Sequence, residues 1–193
     1  VTVASAYTQA ESTATTFQTY TMVDTDTTGT YACTIAGDDA ADFAKSVSGK
    51  VCTVTWAAAP DFEAPADGNT NNVYDITIAF TDGTNALGAQ TTAITVTDVN
   101  DQTPAVSVSA TYSQAESTAT TFQTYTMVDT DTSGSYDCTI AGADAADFAK
   151  SVSGKVCTVT WAAAPDYETP ADTGTNNGYE ITIAFTDGTN ALG

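Results

Sequence analysis

The sequence predicts an all-β protein of two tandem seven-stranded Greek-key β-sandwiches, immunoglobulin-like in class, with the second copy lacking its last strand. Three observations predict it. The chain nearly repeats itself at an offset of 105 residues. Apolar and polar residues alternate in short runs, as half-buried strands require. Clusters of Gly, Asp and Asn separate those runs. Of the 88 positions aligned from Val1/Val106 to Gly88/Gly193, 73 are identical. The unit is therefore domain-sized rather than solenoid-sized. Residues 1–104 form the first copy, and residues 105–193 the second. The first closes with AQTTAITVTDVNDQTP from Ala89, and the second stops before that segment. The expectation is a stretch of a longer array, or a neighbouring molecule that supplies the final strand.

The strands can be justified in order. Tyr31, Cys33 and Ile35 alternate on one face. Residues 38–44 read as a loop with one short helical turn, Asp acting as N-cap before Ala. Cys52, Val54 and Trp56 share a face of the next strand. Tyr74, Ile76, Ile78 and Phe80 give the clearest alternation in the chain. Ile94 and Val96 mark the closing strand, and Val106 and Val108 the first strand of the next unit.

Composition excludes several functions. The chain carries 4 Lys, no Arg, no His and 24 acids, for a net charge of -20. No basic stripe can neutralise nucleic-acid phosphate, and an anionic membrane repels such a chain. Without His, Ser-His-Asp and Cys-His catalysis cannot be assembled. The apolar runs are too short to span a bilayer, so no membrane insertion is expected in this segment. The acids are 19 Asp and 5 Glu, and Asp is both a turn residue and an oxygen ligand for hard cations.

Cys33 and Cys52 recur as Cys138 and Cys157, each on an inward-facing strand position. Either each pair bridges its sandwich, or four thiols pack as small buried hydrophobes. The even count and acidic composition suit an oxidising, extracellular setting.

The acids fall in short motifs. The first unit holds Glu11, Asp24 and Asp26, Asp61 and Glu63, and Asp82 before Gly83, then Asp98, Asn100 and Asp101. The second repeats Glu116, Asp129 and Asp131, Asp166 and Glu168, and Asp187. Each alone reads as a turn with solvated acids. Together with Phe17, Tyr20 and Met22 ahead of Asp24, with Ala59-Pro60-Asp61-Phe62-Glu63, with Thr81-Asp82-Gly83 and with Asp98-Val99-Asn100-Asp101-Gln102-Thr103-Pro104, they resemble the cadherin repeat in its bacterial cadherin-like form. The two cysteines per unit and Gln102, where Asn is usual, depart from that pattern.

The resemblance implies Ca²⁺ between successive domains. Glu11, Asp61 and Glu63 would serve from one domain base, and Asp98, Asn100 and Asp101 from the linker, with carbonyls near Val99 and Gln102. Asp129, Asp131 and Asp187 would serve from the next domain's top. Asp24, Asp26 and Asp82, and likewise Glu116, Asp166 and Glu168, would be half-sites facing further repeats. The implied function is an extracellular or cell-surface structural or adhesive protein, a stalk, shaft or filament stiffened by two or three Ca²⁺ per linker. Its partners would be neighbouring repeats of the same or identical chains and a cell-surface or matrix component. A calcium-dependent carbohydrate-binding module is the alternative. Catalysis by a pair such as Asp61 and Glu63 is not expected, and Trp56 and Trp161 are expected in the core.

Overall fold

A computed structural model describes residues 1–12, 15–26, 28–116 and 120–192. The chain divides into two compact units, Val1–Val99 and Asn100–Gly193. Both are built from β-strands, with one three-residue 3₁₀ turn each, Ala40–Asp42 and Ala145–Asp147.

The first unit has strands β1 (Ala6–Ala10), β2 (Thr16–Thr21), β3 (Ala32–Ala36), β4 (Phe43–Ser48), β5 (Val51–Trp56), β6 (Val73–Thr81) and β7 (Ala86–Thr97). One sheet has the order β1-β7-β6-β3 and the other β2-β5-β4. All pairs are antiparallel except β1 with β7, which run parallel with Ala6 opposite Ala93 and Ala10 opposite Thr97. The predicted alternation is realised. Tyr74, Ile76, Ile78, Cys52, Val54, Ile94 and Val96 are almost completely buried, and each large aliphatic among them gains about 1.5–3 kcal/mol from leaving water. Trp56 lies between Phe43 and Tyr74 at centroid distances of 4.4 and 4.8 Å. Its Nε1–H donates to Gln9 Oε1, so the indole is a core side chain with a satisfied polar tip.

Of the two readings of the cysteines, the bridged one is correct. Cys33 on β3 is bonded to Cys52 on β5, joining the two sheets, and Cys138 is bonded to Cys157. Each bridge spans 19 residues, for which loop-closure entropy gives roughly 3 kcal/mol.

The helical turn is present, but its expected cap is not. Asp39 occupies the N-cap position without a side-chain capping bond. Its carboxylate instead accepts N–H groups from Gly68 and Asp75, tying the turn to the 67–72 loop and the start of β6. Gly37 precedes it at φ 111°, and a Cβ there would lie 2.8 Å from the Asp75 carbonyl oxygen. Only glycine suits that close approach.

The second unit has β8 (Thr121–Thr126), β9 (Asp137–Ala141), β10 (Phe148–Ser153), β11 (Val156–Trp161), β12 (Thr182–Thr186) and β13 (Ala191–Leu192). Its sheets are β13-β12-β9 and β10-β11-β8. Val106 and Val108 do not form the expected first strand; Ala105 makes one isolated bridge to Val128 instead. In the first unit the corresponding strand β1 leans on Ala93–Thr97, and β13 covers only the positions matching Ala86 and Leu87. Tyr179, Ile181 and Ile183 are partly buried, whereas Tyr74, Ile76 and Ile78 are 1, 1 and 0% exposed.

Candidate metal sites

Strand direction sets where the acids fall. In the first unit Val73 pairs with Thr95 and Thr81 with Ala86. Asp82 therefore leaves one end of β6, and residues 97–99 leave β7 at the other, roughly 26 Å away for a nine-residue strand.

At the β7 end, Glu11 follows β1 and is 5% exposed. Its Oε2 accepts Phe62 N–H at 2.6 Å and its Oε1 accepts Val99 N–H at 2.8 Å. One carboxylate thus clamps the 60–65 loop to the segment leaving β7. Oxygens of Glu11, Asp61 and Glu63 lie within 4.8 Å of one another, and an oxygen of Asp98 lies within the same distance of Glu63. Asp61 Oδ1 also accepts Ala64 N–H at 2.9 Å, closing a tight turn.

At the other end, oxygens of Asp24, Asp26 and Asp82 form a second group within 4.8 Å. Asp24 accepts Asp26 N–H on Oδ1 and the Tyr31 hydroxyl on Oδ2, at 3.0 and 2.9 Å. The first of these, helped by the second, holds its carboxyl below the usual range. Asp82 accepts from the Asn85 amide and from the N–H groups of Asn85 and Thr84, which lower it likewise.

The second unit repeats both groups. Glu116, Asp166 and Glu168 are close but all exposed. Glu116 Oε2 accepts Tyr167 N–H at 2.8 Å. Side-chain and main-chain donors of Thr169 lower Asp166. Asp129, Asp131 and Asp187 form the most enclosed group, with Asp131 and Asp187 at 1 and 0% exposed. Burial raises the Asp187 pKa, but N–H groups of Asn190 and Thr189, with the amides of Asn190 and Asn100, outweigh it and leave the carboxyl lowered.

The segment that opens this unit lies on that group. Gln102 N–H donates to Asp131 Oδ2 at 2.8 Å. The Asn100 amide donates N–H to Asp131 Oδ2 and to Asp187 Oδ2, each at 2.9 Å, and its oxygen accepts from the Thr189 hydroxyl at 3.3 Å. The carboxylates of Asp129, Asp131 and Asp187, with oxygens within 4.8 Å of one another, are the all-oxygen donors a hard cation takes.

The structure thus groups Glu11, Asp61, Glu63 and Asp98, then Asp24, Asp26 and Asp82, then Asn100, Asp129, Asp131 and Asp187, and lastly Glu116, Asp166 and Glu168. Asp101 is in no such group among the described residues. It is exposed, and its Oδ1 accepts Gln102 Nε2–H. The Gln102 carbonyl accepts from Asn190 Nδ2. Sequence reasoning missed Asn85 and Asn190. Their signal was present in the Thr-Asp-Gly-Thr-Asn run, where an amide three residues after Asp can fold back onto its carboxylate.

No protein-family model matches the chain, and no curated protein matches it. Solved structures do. A protocadherin gammaB7 EC3-6 cis-dimer structure aligns over 98% of this chain at 19% identity and a TM-score of 0.63. The extracellular cadherin domains 3-6 of protocadherin gamma B2 align over 97% at 20% identity and 0.62. Mouse cadherin-23 EC22-24 aligns over 95% at 15% identity and 0.69. The chain spans 43, 42 and 57% of those chains, respectively. The fold is that of cadherin ectodomain repeats.

Proposed function

We propose that this chain is a calcium-binding tandem repeat of an extracellular adhesion-type protein, serving as a shaft rather than as an enzyme. The observation that carries the reading is the enclosed group of Asp129, Asp131 and Asp187, whose carboxylate oxygens lie within 4.8 Å of one another with Asp131 and Asp187 at 1 and 0% exposed. Two carboxylates whose oxygens approach within 4.8 Å repel by about 3–4 kcal/mol at an effective dielectric near 20. A divalent ion removes that cost. Ca²⁺ suits the group better than Mg²⁺, because it accepts six to eight oxygens in flexible geometry.

The ligands would be Asn100, Asp129, Asp131 and Asp187 in the second unit, and Glu11, Asp61, Glu63 and Asp98 in the first. The acids at the outer positions, Asp24, Asp26, Asp82, Glu116, Asp166 and Glu168, would serve further repeats. Two or three ions are expected around residues 98–104, with Asp101 recruited on binding. Bound Ca²⁺ would stiffen that segment, because Val99 is already tied to Glu11 and Gln102 to Asp131. The proteins of shared fold are described as cadherin extracellular domains, one of them in a cis-dimer; an extracellular place and repeat-to-repeat partners follow for this chain by analogy of fold. Two disulfides support an oxidising compartment. Trp56 and Trp161 are 3 and 8% exposed, which argues against the stacking platform of a carbohydrate-binding module.

Calorimetric titration of the 193-residue chain tests the reading. Two or three Ca²⁺ should bind around the 98–104 segment, and D131N should abolish at least one. Absence of binding at millimolar Ca²⁺ would remove the proposal. Solution scattering adds the mechanical test: D101A should increase flexibility in Ca²⁺ while each sandwich stays folded.

A further inference from the structure

The chain has only four lysines, and two occupy equivalent, unusual positions. Lys50 closes the β4–β5 hairpin, and its Nζ donates to the main-chain carbonyls of Asp24 and Asp26 at 2.7 and 3.3 Å. Lys155 does the same to Asp129 and Asp131 at 2.8 and 3.3 Å. Each ammonium also lies over a tyrosine ring, Tyr31 at 5.4 Å and Tyr136 at 5.1 Å. Those tyrosines donate their hydroxyls to Asp24 and Asp129. The backbone fixes the lysine as well, since Met22 N–H donates to the Lys50 carbonyl and Met127 N–H to that of Lys155.

We infer that Lys50 and Lys155 are positioning residues that hold the two Asp-Thr-Asp turns in their acid-presenting shape before any ion arrives. The inference rests on the calcium reading above, which concerns the carboxylates of these turns. An ammonium has three donors and no acceptor. Here two of its donors gather both carbonyls of one turn, and the ring face steadies the charge. With the carbonyls drawn to the lysine, the turn's contribution to a cation comes from its side chains. The Tyr hydroxyl and the Asp26 or Asp131 N–H then orient the first Asp from the other side.

A like charge near a cation site also repels the cation, so the two effects of lysine oppose each other. Both ammonium groups are engaged with carbonyl oxygens and partly exposed to water, where repulsion is screened. Loss of a preformed turn is not screened. Positioning therefore prevails, and removal of the lysine should weaken Ca²⁺ binding despite removing a positive charge.

The test uses the whole chain with K50M and K155M together, and K50R and K155R as the conservative pair. In chelator, amide hydrogen exchange at Asp26 and Asp131 should accelerate at least about tenfold in the Met variant, while β5 and β11 stay protected. Calorimetry should show Ca²⁺ affinity falling by about tenfold, as expected when the competent turn becomes a minority state. The Arg pair should restore both. Unchanged turn exchange would overturn the inference, and so would a Ca²⁺ affinity that rises in the Met variant. Acceleration spread through the core strands would reduce the lysines to general supports of the fold, which also overturns it. If Met prevents folding, K155Q is judged by the same exchange criterion. Should the unmodified chain bind no Ca²⁺, the calcium reading fails, while exchange in chelator still decides whether the lysines set the turns.

Discussion

Replacing Glu11 by Ala should destabilise the first unit far more than replacing Glu116 destabilises the second, although the two residues sit in identical sequence. Glu11 is buried and holds two main-chain N–H groups, of Phe62 and Val99. Hydrogen bonds to a charged acceptor contribute about 1.5–3 kcal/mol each, and a donor left buried costs about 1–3 kcal/mol. Val99 is 39% exposed, so water replaces part of that loss. The expected cost is about 2–3 kcal/mol, equivalent to a fall of about 10–20 °C in the melting temperature of a domain this size. Glu116 is exposed and accepts the Tyr167 N–H. Its loss should cost under about 1 kcal/mol. E11Q should fall between, since an amide oxygen can keep one bond. Differential scanning calorimetry in chelator measures both transitions with metal effects removed. Equal shifts for E11A and E116A would refute the claim that this carboxylate is a structural clamp as well as a ligand candidate.

Four further outcomes are expected. Replacing both cysteines of either pair by Ala should cost roughly 3 kcal/mol in chemical denaturation, similarly in the two units, because the closed loops are equal in length. Asp144 is held low by N–H groups of Glu180 and Thr173. Its folded pKa lies below the unfolded value of about 3.9, so its stabilisation is present above that pH and is lost as pH falls through the folded pKa; D144N should flatten the acid limb of the stability curve for the second unit. Burial, then the charges of Asp39 and Asp67, push Asp42 upward. It therefore opposes folding above its raised pKa, and D42N should raise the melting temperature at pH 7 with little change at pH 3. A peptide carrying the β7 sequence, Ala86–Thr97, should protect Ile183 and neighbouring amides of β12 from exchange, as β7 pairs with Ile78 in the first unit; unchanged exchange at saturating peptide would count against β12 pairing with that strand.

The strands were legible because burial here follows a period of two. Tyr74, Ile76, Ile78 and Phe80 alternate in sequence and all four face the core. The cysteine pairing was legible as one of two options, and the second option needed the distance between strands on different sheets. The Val106 and Val108 strand was misread. A strand needs a partner as well as a pattern, and β1 owes its existence to Ala93–Thr97. The acid motifs were legible as motifs, but not the asymmetry between Glu11 and Glu116. That asymmetry comes from Val99, which is 88 residues away from Glu11 and donates to it.

The acids themselves separate into two kinds once their donors are known. Asp39 and Asp67 are buried, yet each oxygen of both accepts a main-chain N–H, from Gly68, Asp75, Asn71 and Asn72. Asp144 and Asp172 repeat the pattern with Thr173, Glu180, Asn176 and Asn177. Such carboxylates are saturated by the chain and brace the 67–72 and 172–177 loops, where Thr70, Asn72, Thr175 and Asn177 adopt positive φ. A cation would have to compete with those bonds. Asp131 and Asp187 also accept main-chain N–H groups, from Gln102, Thr189 and Asn190, but with Asp129 their oxygens lie within 4.8 Å of one another, and a cation relieves that repulsion. Sequence cannot distinguish these kinds, because both are Asp among Gly, Thr and Asn. The distinction lies in whether other carboxylates crowd within 4.8 Å of the group, as at Asp129, Asp131 and Asp187. It follows that D67N should damage folding equally with or without Ca²⁺, whereas D187N should cost more in Ca²⁺ than in chelator. Equal Ca²⁺ dependence in the two variants would erase the division.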